Sequence, residues 1–188
     1  SARPSADTPL SGSGSGGGGD GGGGGGGDNT TTTSASKVYS RKWDVLNAGT
    51  TTVSISKEEL AVAELSITTI EQKNDVDLTV RKLDEKPSSI SDDIIEEEYQ
   101  FIEIETVNSP NAAIEKVIIK FNVKKSWLND NNVNEGDVVF YRYTTQWDKL
   151  SVSKIDSSET DVTYSVISPG LSIFVIGGKI GDEQILDE

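Results

Sequence analysis

Carboxylates are the only side chains this sequence clusters densely enough to do chemistry. Asp92-Asp93 and Glu96-Glu97-Glu98 flank Ile94-Ile95. Paired carboxylates can act as general acid and base on a glycosidic bond, or as oxygen ligands for Ca²⁺. The plainer expectation is a solvated acidic loop that discourages strand pairing, because nothing else in the chain supplies a carbohydrate cleft. A second group, Asn129-Asp130-Asn131-Asn132-Val133-Asn134-Glu135-Gly136-Asp137, has the composition of a calcium loop. Its spacing is wrong, with Val133 where a ligand is needed and the glycine late. It is expected to be a helix-to-strand turn. The glycine run between Gly12 and Gly27 has the composition of a phosphate-cradling loop. It lacks the preceding strand, the following helix and the lysine such a loop requires. No catalytic residue, cofactor site or metal ligand is assigned, and the chain is expected not to be an enzyme. One modification candidate stands out: Asn29, in the sequon Asn29-Thr30-Thr31 beside the Thr/Ser run 30–36.

Composition narrows the chemistry further. The 188 residues include no cysteine, histidine or methionine. Disulfides, thiolate metal sites and every nucleophilic system that uses histidine as base are thereby excluded. The formal net charge is −14. A mixed acidic surface argues against nucleic acid as a partner, since phosphate contacts need clustered Lys and Arg. No run approaches the roughly 18 apolar residues of a membrane helix.

The chain divides at residue 36. Thirteen of its 19 glycines lie between Gly12 and Gly27. Residues 1–36 form a Gly/Ser/Thr-rich arm with almost no side chain to bury, and ordering glycine backbone carries the largest entropy loss of any residue. Order in such an arm has to come from outside, most simply from another copy of the chain. Residues 37–179 read as one domain of ordinary size, and 180–188 as an acidic tail.

Within the domain, apolar residues recur at period two. Examples are Val76, Leu78 and Val80, then Ile102 and Ile104, then Val117, Ile119, Phe121 and Val123. Such alternation marks strands with one buried face and one wet face. Turn residues punctuate them at Asn47-Ala48-Gly49, Asn108-Ser109-Pro110-Asn111, Asn134-Glu135-Gly136-Asp137 and Ser168-Pro169-Gly170. The pattern predicts an all-β fold: an antiparallel, Ig-like β-sandwich of about nine or ten strands. Leu150 and Val152 are read as one of those strands. A short helix is expected after Ser126 as its cap, with another possible at Lys57-Glu58-Glu59-Leu60. Residues 86–98 read as a loop. Trp43, Trp127, Trp147, Phe121, Phe140 and Tyr141 are the candidates to plug the core and its corners.

Several segments resemble the PGF-pre-PGF domain of archaeal surface proteins. They are Val38-Tyr39-Ser40-Arg41-Lys42-Trp43, Val80-Arg81-Lys82-Leu83-Asp84-Glu85-Lys86-Pro87, Ile119-Lys120-Phe121-Asn122-Val123-Lys124-Lys125-Ser126-Trp127-Leu128, Val139-Phe140-Tyr141-Arg142-Tyr143 and Ser168-Pro169-Gly170-Leu171-Ser172-Ile173-Phe174. The resemblance implies an extracellular protein of the archaeal cell surface, with a β-sandwich and no catalytic role. Relatives often carry a C-terminal anchoring segment. This sequence ends at Glu188 without one, so a standalone building block is the expectation. The expected function is therefore a structural subunit of a surface filament or sheath, a homopolymer built by sandwich stacking and N-terminal arm contacts. An extended segment can join a neighbour's sheet edge, with residues 1–10, 30–36 or 183–187 as candidate donors. The alternative is an adhesin or surface-layer binding module on a flexible stalk. It would recognise a glycan or surface protein, with Tyr143 and Trp147 as an aromatic platform.

Overall fold

The computed structural model describes residues 37–92 and 96–180. They form eleven antiparallel strands in two sheets. The strands are β1 (Val38–Leu46), β2 (Gly49–Ser54), β3 (Val62–Thr69), β4 (Lys73–Leu83), β5 (Glu97–Val107), β6 (Ile114–Lys124), β7 (Val133–Tyr143), β8 (Trp147–Leu150), β9 (Val152–Ser157), β10 (Asp161–Ser168) and β11 (Ile173–Ile180). Sheet order is β1-β4-β5-β11-β7-β8 in the first sheet and β2-β3-β6-β10-β9 in the second. The expected antiparallel β-sandwich is present, with slightly more strands than the alternation alone separates.

Hairpins join β2 to β3, β4 to β5, β7 to β8 and β9 to β10. The other connections pass between sheets. The turns after β1, β3, β5, β7 and β10 gather at one end of the sandwich, here called the turn end. The opposite end carries α1 (Lys125–Asp130). Val38 pairs with Arg81 and Ile180 with Val133, so the chain enters and leaves the sandwich at this helix end.

The alternating apolar residues meet between the sheets. Phe121 and Tyr164 of the second sheet pack on Phe140 and Phe174 of the first, with Phe121–Phe140 centroids 5.0 Å apart and Phe140–Phe174 5.4 Å. All four are essentially inaccessible to solvent. Large aromatics fill volume across both layers, and their offset geometries add to the burial. Of the aromatics expected in the core, Phe121 and Phe140 are there. Trp43 and Trp127 are half-buried at its rim. Trp147 and Tyr141 lie elsewhere, on the outer face of the first sheet.

Four local expectations are corrected. Residues Lys57–Leu60 form a turn closed by Leu60 N–H to the Lys57 carbonyl at 3.2 Å, not a helix. Four residues give only one such bond, too few to offset helix nucleation. Ser126 sits inside α1 and caps nothing; the N-cap is Lys124, which makes no side-chain cap bond. Asn134-Glu135-Gly136-Asp137 lies within β7, where Asn134 donates to the Asp137 carboxylate at 2.8 Å. The turn is instead Asn131-Asn132, as expected for the wider segment, with Asn132 at φ +52°. Leu150 and Val152 belong to different strands. The chain runs straight on through Ser151 while switching from the first sheet to the second. Such a switch leaves the apolar pattern unbroken, so periodicity could not reveal it.

Gly177 leaves no room for a side chain against β5. A Cβ there would lie 2.5 Å from the Glu97 carbonyl oxygen. Backbone cannot yield as a side-chain tip can. Gly177→Ala is therefore expected to destabilise by about 1–3 kcal/mol, read as a lowered midpoint in a thermal melt.

Candidate functional site

Three surface regions concentrate unusual features: the helix end, the outer face of the first sheet, and the sheet edges. At the helix end, β5 carries one extra residue. Gln100 pairs with Ile176 but Glu98 pairs with Gly177, leaving Tyr99 as a bulge. The bulge re-aims the side chains beside it. Gln100 is buried and bridges two backbone groups, accepting from Ala61 N–H at 2.9 Å and donating to the Glu59 carbonyl at 3.0 Å. Tyr99 packs on Trp127 at 4.9 Å and accepts the Lys124 N–H at 3.3 Å. Burial pushes its phenol above the ordinary value. Lys124 pairs with Asp161 at 2.9 Å. These groups line a shallow hollow with residues 55–63. Each polar atom named here already has a protein partner, so the arrangement holds the sheets together. Gln100→Leu removes both bonds and strands the Ala61 N–H. A loss of about 1–3 kcal/mol in urea unfolding is expected.

The outer face of the first sheet is covered in part by the segment after β4. Ile90 is 3% exposed, and Phe101, Val139 and Val175 on this face are likewise buried. The Trp147 indole donates to the Asp92 carbonyl at 3.1 Å, and the Tyr141 hydroxyl donates to the Glu96 carboxylate. Lys86 also reaches the Asp92 carbonyl at 3.1 Å. The acidic loop thus works as a strap, with Glu96 spent on a tyrosine. Glu97 and Glu98 begin β5, while 93–95 lie outside the described residues. Tyr143 and Trp147 do meet, edge to face at 5.1 Å. Both are half-buried, and Trp147 also contacts Phe101 at 6.2 Å. One side of the expected platform is therefore taken up by the strap and sheet. Further along, Arg81 lies between Glu103 at 3.4 Å and Glu105 at 2.9 Å. Among the described residues, no group of three or more Asp or Glu is placed to hold a metal ion.

Two phenols, buried Tyr164 and half-buried Tyr141, make the sandwich sensitive to alkali. The Tyr164 hydroxyl donates to the Glu135 carbonyl at 2.8 Å. Burial, then the nearby Glu135 charge, raises its pKa well above the ordinary 10.0. Burial and the Glu96 bond do the same for Tyr141. The unfolded chain releases these protons first, so stability is full below about pH 10 and falls as pH rises further. Tyr164→Phe is expected to flatten that alkaline decline, measured as melting temperature against pH.

The edges differ from one another in a way that composition does not show. Two lie on each flank: β1 and β2 on one, β8 and β9 on the other. Strand β1 exposes Arg41, Lys42 and Asp44. Strand β8 has four residues, including Asp148 and Lys149. Strand β9 carries Lys154 and Asp156, and its pairing with β10 shifts at Ile155. Charge, brevity and bulges are the usual protections of an open edge. Strand β2, Gly-Thr-Thr-Thr-Val-Ser, has none of them, and its register with β3 is unbroken from Gly49 to Ser54. Its threonines are tied in a hydroxyl ladder, Thr50 to Thr68 and Thr52 to Ser66, each at 2.8 Å.

No family model, curated protein or solved structure matches this chain. The surface must therefore be read from its own geometry. No helix among the described residues is long and apolar enough to cross a membrane. The glycine arm, Asn29, the candidate donor segments and the expected acidic tail 180–188 all lie outside the described residues, except Ile180, which ends β11. What sequence reading missed was Gln100, the Tyr99 bulge and the bare β2 edge. Only the last left a signal, an uncharged Thr-Thr-Thr run directly after a turn.

Proposed function

We propose that this protein is a structural subunit of an extracellular surface filament or sheath of the archaeal type its sequence resembles. It is not an enzyme in this reading. Copies assemble through contacts between sandwiches and through the N-terminal arm, whose glycines would pass through narrow gaps between subunits. The observation that carries the reading is the coexistence of an open, unprotected sheet edge with a long glycine arm. An uncharged, unbroken edge presents unpaired backbone N–H and C=O groups, and a folded domain that keeps one exposed invites another strand. Residue 37 and Ile180 both lie at the helix end, and in this reading the arm would reach the next copy from there. Contact between unlike ends is heterologous and propagates unless it closes into a ring.

Electron microscopy of the purified full chain, alongside sedimentation velocity, tests this directly. Long regular filaments or sheets are the expected result. A chain that stays monomeric across concentration and salt overturns it, and leaves the stalked binding module as the function to screen against surface glycans.

A further inference from the structure

We infer that strand β2 is the acceptor edge of the assembly and that residues 30–36 of a second copy of this chain are its occupant. The inference rests on the subunit reading above and names the contact within it. Four features support the choice.

First, among the four edges formed by the described residues only β2 lacks charge, bulge and brevity as defences. Second, the lengths agree. Six residues of β2 extend about 20 Å at roughly 3.4 Å per residue, and a seven-residue segment covers that span. Third, the chemistry agrees. Residues 30–36 read Thr-Thr-Thr-Thr-Ser-Ala-Ser, uncharged and led by four β-branched threonines. Threonine opposite threonine is a stabilising cross-strand pair. β2 already makes such pairs on its other side, through Thr50 and Thr52, and the occupant would repeat the ladder outward.

The fourth feature is chain direction, and it selects a second copy. β2 runs from the turn end to the helix end, and residue 37 lies at the helix end. Laid back along its own sandwich, the segment 30–36 would run parallel to β2. Consider instead a second copy stacked beyond the helix end in the same orientation, its turn end facing the first copy. The segment then runs along that neighbour from helix end to turn end, antiparallel to its β2. Every ladder in this sandwich is antiparallel. Stacking in one orientation also repeats without limit, which gives a filament.

The chain has no cysteine, so introduced thiols report contacts without background. A full-length Thr52→Cys chain is mixed with chains bearing Thr31→Cys, Thr32→Cys or Thr33→Cys, assembled, and oxidised. Disulfides between unlike chains are expected for at least one of the three. Crosslinks only between two Thr52→Cys chains would mean β2 pairs with β2 and would overturn the assignment. So would the absence of any crosslink in assembled material.

The second test is the variant Thr50→Lys/Thr52→Lys. Both side chains are exposed, so the fold should survive with an unchanged far-UV circular dichroism spectrum. Assembly should require at least a tenfold higher concentration, whereas Thr52→Val should assemble normally. Wild-type filaments that persist unchanged in the double-lysine chain overturn the β2 contact alone. A wild-type chain that never assembles overturns the subunit reading together with it.

Discussion

Removing residues 1–36 is expected to convert the assembled protein into a folded monomer. The effect on polymer is complete loss, because the donor segment 30–36 is removed. The effect on the domain is small. Both sheets, the aromatic core and the strap lie entirely within residues 37–180. The core that joins the two sheets is drawn from those same residues, so the melting temperature should move by no more than a few degrees. Sedimentation velocity and a thermal melt on the same sample read both quantities. A shorter deletion, of residues 1–28, separates the roles within the arm. It keeps the threonine segment, so assembly by strand addition should survive it. If the shorter deletion also abolishes polymers while crosslinks to β2 still form, the glycine run makes a second contact. If removal of all 36 residues leaves polymers intact, the arm is not the connector and the proposed assembly fails.

The largest effect on stability is expected from Phe140→Ala. Phe140 is fully buried at the middle of β7, between Phe121 of the opposite sheet and Phe174 of its own. Truncating a buried phenylalanine costs about 3–5 kcal/mol, from lost transfer energy and from the cavity left behind. Domains of this size have only about 5–15 kcal/mol in total. The neighbouring rings come from strands held in register on both sides, so they cannot collapse far into the hole. Urea unfolding followed by tryptophan fluorescence should show a much lower midpoint with the slope retained. Trp147→Ala makes the contrast. Its ring is half-buried under the strap on the outer face, and its loss should cost much less than that of Phe140. Comparable losses from the two would mean that the strap, rather than the interlayer core, dominates stability.

Much of the fold was legible because each strand obeys a local rule. Val76, Leu78 and Val80 alternate with Asp77, Thr79 and Arg81, and all three apolar residues are buried. The turn at Asn108 is equally local in its backbone, with φ at +60°, although its side-chain amide reaches the Asp75 carbonyl of β4 at 2.9 Å. Asn111 shows where locality stops. It sits in an expected turn, yet its amide clamps Leu171, sixty residues away, by two bonds of 2.9 and 2.8 Å. Tyr164 and Phe174 were missed as core plugs because each stands in an ordinary alternating strand. Their partners, Phe121 and Phe140, become neighbours only when the two sheets stack. The acidic cluster was read as solvated. Its strap role depends on Ile90 meeting the β7–β8 hairpin that carries Tyr141 and Trp147, some fifty residues away in the chain.

The sequence alone determined the class of the domain, its division from the glycine arm, and the exclusion of histidine and cysteine chemistry. Those are properties of composition and of period-two alternation, which each strand carries by itself. The tertiary structure alone decided which strands are edges, which edge is left without charge or bulge, and that both chain exits share one end. Edges and ends are relations between strands distant in sequence. They are set by how the two sheets order their strands to bury one common core, and no single segment encodes them.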